Sequence, residues 1–128
     1  MELLYRNGLL FLSLKIVYKG KEKVIENIVV DTGASETIIS PDVVEDIKIN
    51  AELDDNIGSY YGVGGSIHNF FTKKIDEIII DKVLLKQVKV DFGVVDPKGK
   101  INGLLGLDLL QKAHSVIDLK NMMMTVEQ

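Results

Sequence analysis

Apolar residues in this chain come in runs of strand length, each stopped by a turn signal. That pattern leaves no room for long helices and predicts a mostly β fold. Leu10, Leu12, Leu14 and Ile16 repeat at period two and give one apolar face to a strand over Leu9–Tyr18. Lys19-Gly20-Lys21 turns the chain, and 23–30 reads as the next strand. Two more strands are expected at 75–80 and 83–90, joined at Asp81-Lys82. Asp96-Pro97-Lys98-Gly99 is a turn. Val116-Ile117 and 122–126 read as closing strands. Helices are few and short. Ser40 as cap, Pro41 at the first helical position and Asp42 in the first turn predict one over 41–46. Leu107–Lys112 predicts another. The polar stretch 54–59 reads as a loop.

The 128 residues suit a single domain, 1–128, with a real core. A net charge of -4 argues against an electrostatic nucleic-acid surface. The absence of Cys excludes disulfides, thiolate chemistry and cysteine-based zinc sites. The two histidines, His68 and His114, are far apart and read as surface or hydrogen-bonded side chains. The lysines from Lys73 to Lys100 read as a solvated face. The apolar segment 9–14 is too short for a membrane span, and no small-residue cleavage site follows it. A soluble, cytoplasmic protein with no membrane partner is expected.

One carboxylate stands apart. Asp31 follows the β-branched run Ile28-Val29-Val30 and opens a turn of small residues, Thr32-Gly33-Ala34-Ser35. Placing an acid at the end of a buried strand has a desolvation cost, and such positions are often chemical. The plain alternative is a strand-end carboxylate that merely turns the chain. Further on, Tyr60-Tyr61-Gly62-Val63-Gly64-Gly65-Ser66-Ile67 reads as a hairpin with a Gly-rich tip. No Lys-Ser/Thr follows it, which argues against a phosphate loop. Leu104-Leu105-Gly106 precedes the second short helix. A weak internal echo links 28–46 with 101–112: strand, Gly turn, short helix.

Those three motifs, in that order, resemble the retropepsin-like aspartic proteases, the single-lobed relatives of pepsin. The resemblance covers roughly 9–126 and implies a closed β-barrel with one or two short helices and a hairpin flap. It implies an aspartic endopeptidase with no metal or cofactor, in which each chain supplies one catalytic Asp. Two chains must then meet about a two-fold axis, which sets the single Asp31 against its own copy. By matching position, Thr32 bonds across the axis. Gly33 lets the backbone approach the carboxylate and donates to it, and Ala34 completes the loop. Tyr61, Gly62, Val63, Gly64 and Gly65 form the flap over a peptide bound as an extended strand.

Departures from the family pattern carry expectations of their own. Pepsin-like members place a hydroxyl where this chain has Ala34, so a less acidic dyad is expected. Retroviral members pair an acid with an Arg where this chain has Ser35 and Leu107, which implies a cellular or bacterial member. Asp108 reads either as a polar group near the dimer interface or as a solvated helix residue. The run Met122-Met123-Met124 reads as strand core or dimer contact. The rival functional reading keeps the fold without catalysis: an idle dimerisation or peptide-binding module. A third is an unrelated small β-barrel binding domain, which leaves the ordered motifs unexplained.

Overall fold

The computed structural model describes residues 1–61 and 67–128. Among them are ten strands: β1 (Leu4–Arg6), β2 (Leu9–Tyr18), β3 (Lys21–Val30), β4 (Ile38–Ile39), β5 (Asn56–Tyr61), β6 (Ile67–Ile80), β7 (Val83–Gly93), β8 (Gly103–Leu105), β9 (Val116–Asp118) and β10 (Met123–Thr125). The one α-helix among the described residues is α1 (Leu107–Lys112). Eight strands form one sheet in the order β1-β2-β3-β8-β4-β7-β6-β5. The sheet then returns on itself, because β2 also pairs with β6 through Lys15↔Ile79, Ile16↔Ile78 and Val17↔Glu77. The result is a ring of six strands, β2-β3-β8-β4-β7-β6, with β1 and β5 outside it.

Alternation along the strands fills this ring. Leu12, Leu14, Ile16 and Tyr18 of β2 are buried, while Ser13 between them is exposed. Ile16, Ile28, Ile39, Ile78 and Phe92 from five different strands are fully enclosed. The Phe71 and Phe92 rings stack with centroids 5.3 Å apart. The predicted turn after β2 is a tight hairpin: Lys19 (φ 50°) and Gly20 (φ 81°) both take the left-handed backbone that matches the twist of paired strands. Met124 is core and closes the second, two-stranded sheet of β9 and β10. The chain start joins it, since Met124 N–H donates to Met1 O and Leu3 N–H to Met122 O, each at 2.9 Å.

Four expectations are corrected. The polar stretch 54–59 is mostly strand, because β5 begins at Asn56 and runs antiparallel along the edge of β6. Gly58 there accommodates the Phe70 ring, which a Cβ would meet at 2.4 Å. Cross-strand pairing overrides the low β-propensity of these residues. β6 starts at Ile67, not at 75, and its polar Thr72 lies between two partner strands, opposite Asn56 of β5 and Asp91 of β7. The predicted helix over 41–46 is instead two 3-10 turns, Pro41–Val43 and Glu45–Ile47. Ser40 makes no side-chain cap bond; it is buried, and its N–H donates to Asn102 O at 2.8 Å.

The fourth correction is Lys73, which is not on a solvated face. Its side chain is 4% exposed, and its ammonium bonds Glu52 at 2.7 Å and Asp55 at 2.8 Å. Burial alone would lower its pKa, but the two carboxylates raise it above the ordinary lysine value. Burial likewise opposes ionisation of Asp55, yet Lys73 holds its pKa below the usual carboxylate range. This depressed carboxyl contributes stability at neutral pH that is lost as pH falls through its folded pKa. Lys73→Ala should therefore lower stability, since it removes a buried side chain and strands the partly enclosed Asp55 carboxylate, while Glu52 stays solvated. Thermal melts from pH 7 to pH 3 should also show a shallower acid loss in the variant than in the wild type.

Candidate active site

β3 and β8 run parallel, with Val29 opposite Leu104 and Val30 opposite Leu105. Asp31 extends that ladder by one residue, its N–H donating to Leu105 O at 3.0 Å. The chain then turns sharply. Ala34 N–H donates to Asp31 O at 3.2 Å, and Gly33 N–H donates to the Asp31 carboxylate, Oδ1, at 3.0 Å. A Cβ on Gly33 would crowd that same oxygen at 3.2 Å. The predicted Gly33 donor is thus in place. Within one chain Asp31 and Ala34 are half-buried, while Thr32, Gly33 and Ser35 are exposed.

A second loop clasps the first. Leu107 N–H donates to Ala34 O at 2.7 Å. The Thr37 hydroxyl accepts from Gly106 N–H at 3.0 Å and donates to Asp108 Oδ1 at 2.8 Å. Thr37 N–H donates to Asp108 Oδ2 at 3.2 Å, and Asp108 Oδ1 also accepts Leu109 N–H at 2.8 Å. Thr37 is 1% exposed, so these bonds are sheltered from water. Asp108 is therefore no solvated helix residue: half-buried, it fastens α1 to the Asp31 loop within the same chain. Gly106 is required for the close approach, since a Cβ there would lie 2.6 Å from the Glu36 carbonyl carbon and 2.9 Å from Ala34 O. Little in the sequence marks Thr37: it is a lone hydroxyl preceding an apolar pair, six residues after Asp31.

Beside the loop lies an open groove of about 650 Å³. Gly33 and Ala34 form one side, and Ile38, Phe70 and Leu104 supply apolar wall. Tyr60 borders it; its hydroxyl donates to Val94 O and its ring stacks on His68 at 5.3 Å. Two further acids line the groove, Glu36 and Asp91. Asp91 is buried on β7 and accepts from the Thr72 hydroxyl at 2.7 Å. Burial raises its pKa, with the adjacent Glu36 carboxyl adding to the rise. Glu36 is held below the usual range chiefly by Lys89, which bonds it at 2.8 Å. The described ends of the hairpin expected over Tyr60–Ile67 pair, Tyr60 with His68 and Tyr61 with Ile67, and the ladder continues to Asn56↔Thr72. Gly62, Val63, Gly64 and Gly65 lie outside the described residues. No group of three or more His, Asp or Glu among the described residues is placed to hold a metal ion. No helix among them is long and apolar enough to cross a membrane.

Residues 20–112 match the family profile described as "gag-polyprotein putative aspartyl protease". No curated protein sequence matches significantly. Among solved structures, the chain is similar to a retropepsin-like aspartic protease from Rickettsia conorii, with TM-score 0.66 and 19% identity, covering 94% of this chain and 92% of that one. It is similar to the retroviral protease-like domain of Ddi1 from Leishmania major, with TM-score 0.65 and 15% identity, covering 94% and 89%. It also resembles EIAV protease in an inhibitor complex, with TM-score 0.61 and 17% identity, covering 91% and 100%. At these identities the structural likeness establishes the fold.

The clasp generates a stability test. Thr37→Val should lower stability by about 2 kcal/mol, because it leaves the buried Gly106 N–H without a partner and removes one of the two donors to Asp108 Oδ1. Gly106→Ala should cost a similar amount, about 1–3 kcal/mol, by forcing the two loops apart. Chemical denaturation of both variants checks this, with Leu107→Ala as an exposed control expected to cost far less.

Proposed function

Because this chain belongs to the retropepsin-like aspartic protease family, we propose that it is an aspartic endopeptidase whose site forms when two copies meet. The observation that carries this reading is the Asp31 turn itself. A single carboxylate is aimed by a Gly33 N–H and sits half-buried beside exposed Thr32 and Gly33, with a substrate-sized groove alongside. A two-fold axis through that exposed loop brings Asp31 against its own copy, and Thr32 is positioned in sequence to bond across the axis.

Two carboxylates in contact cannot both ionise, so the pair holds one proton. The ionised member takes a proton from a water, whose oxygen adds to the peptide carbonyl carbon. The protonated member donates a hydrogen bond to the carbonyl oxygen as negative charge develops there. Collapse of the tetrahedral intermediate breaks the C–N bond, and the leaving nitrogen takes a proton from the pair. The β5–β6 hairpin, with Tyr61 and the Gly62 to Gly65 tip, serves as the flap that holds the extended peptide and excludes water.

Asp31→Asn should abolish cleavage of an unfolded protein substrate, by at least about a thousandfold in kcat, given the share of the barrier carried by proton transfer and charge stabilisation. Cleavage unchanged in that variant overturns the mechanism, whereas a wild type that cleaves nothing leaves the idle binding module. Specific activity should rise with protein concentration across the range in which sedimentation shows dimer forming. A strictly monomeric active protein contradicts the shared site. With Ala34 supplying no hydroxyl to the ionised carboxylate, the pH optimum should lie from mildly acidic to near neutral, and Ala34→Thr should move the acid limb of the pH–rate profile downward.

A further inference from the structure

On the reading that Asp31 cleaves peptides, we propose that the groove beside its loop is a subsite for a basic substrate side chain, lysine or arginine, recognised by Asp91 with Glu36. The placement comes first. The groove shares Gly33 and Ala34 with the Asp31 turn, so a side chain of a peptide lying across Asp31 reaches it directly. Its walls are of two kinds. Ile38, Phe70 and Leu104 offer apolar surface, and Asp91 and Glu36 offer carboxyl groups. A long aliphatic stem ending in a cation matches both kinds at once.

Asp91 is the decisive residue. It lies on β7 between two partner strands, opposite Ile38 of β4 and Thr72 of β6, and only 6% of it is exposed. Its immediate neighbours Val90 and Phe92 are core. An apolar side chain would occupy this position without the desolvation cost of a carboxyl group. The chain compensates Asp91 less directly than the other enclosed charge. Two carboxylates bond the Lys73 ammonium, whereas the Asp91 carboxyl is bonded by the neutral Thr72 hydroxyl and by the Glu36 carboxyl, and Lys89 bonds Glu36 and acts on Asp91 only through its charge. Burial and the Glu36 carboxyl both disfavour the ionised form of Asp91, and an arriving cation offsets both. Arginine can engage such a pair with two parallel N–H donors.

The test uses fluorogenic peptides that are identical except at one position, stepped along the substrate, carrying arginine, norleucine or glutamate. At one position the wild type should show kcat/KM for arginine at least about tenfold above norleucine, with glutamate lowest. The arginine-to-norleucine ratio should collapse towards one in Asp91→Asn and fall partway in Glu36→Gln. Equal rates for arginine and norleucine at every position overturn the proposal, as does a ratio unchanged in both variants. If Asp91→Asn fails to fold by circular dichroism, Glu36→Gln decides. If the wild type cleaves none of the peptides, their binding to the Asp31→Asn protein is measured by fluorescence anisotropy. Arginine preference that Asp91→Asn removes then supports the subsite while the protease reading fails; binding indifferent to the side chain overturns the subsite as well.

Discussion

The buried hydroxyl of Thr37 is the interaction on which the site depends. It accepts from Gly106 and donates to Asp108, and the same carboxylate takes the Thr37 N–H. Sheltered and mutually polarising, such bonds fix a geometry more firmly than their number suggests. They join two segments about seventy residues apart, the Asp31 turn and the start of α1. The parallel β3–β8 ladder brings these segments together, and the missing Cβ of Gly106 lets their backbones touch. Asp31 then has little freedom, because its N–H is committed to Leu105 and its carboxylate to Gly33.

The fold handles its two enclosed charges differently, and the contrast separates structure from chemistry. Lys73 is surrounded by Glu52 and Asp55, which tie the 52–55 loop beneath β6. That arrangement closes within the chain and asks nothing of a partner. Asp91 faces a groove, bonded by the Thr72 hydroxyl and the Glu36 carboxyl, with Lys89 bonding Glu36. Burial without a directly bonded cation disfavours its ionised form. The Asp31 carboxylate is half-buried beside exposed Thr32 and Gly33, with the Gly33 N–H donating to it.

Legibility in the sequence followed locality. The β2 strand, its Lys19-Gly20 turn, the α1 helix and the Asp31 turn were all readable because period, turn chemistry and small-residue content act over a few neighbouring positions. Only the end of β5, Tyr60-Tyr61, is legible as strand, since residues 56–59 become one only by pairing with β6. The helix expected after Ser40 was wrong for a related reason. Its cap residue is buried and hydrogen-bonded by its backbone to Asn102, so local capping rules lost to a contact from a distant segment. Lys73, Thr37 and Asp91 are single polar residues in ordinary-looking contexts, and nothing nearby marks them.

By itself the sequence determined the strand-rich architecture and the position of Asp31 on a turn of small residues, because alternation and glycine content constrain backbone conformation locally. The tertiary structure alone decided what that turn is attached to and what lies beside it. Ring closure through β2 and β6, the parallel meeting of β3 and β8, and the neighbourhood of Thr37, Asp91 and Asp108 all depend on contacts between remote segments. Such contacts form only when the chain buries its apolar faces together, and no short-range pattern encodes which polar groups are carried into place with them.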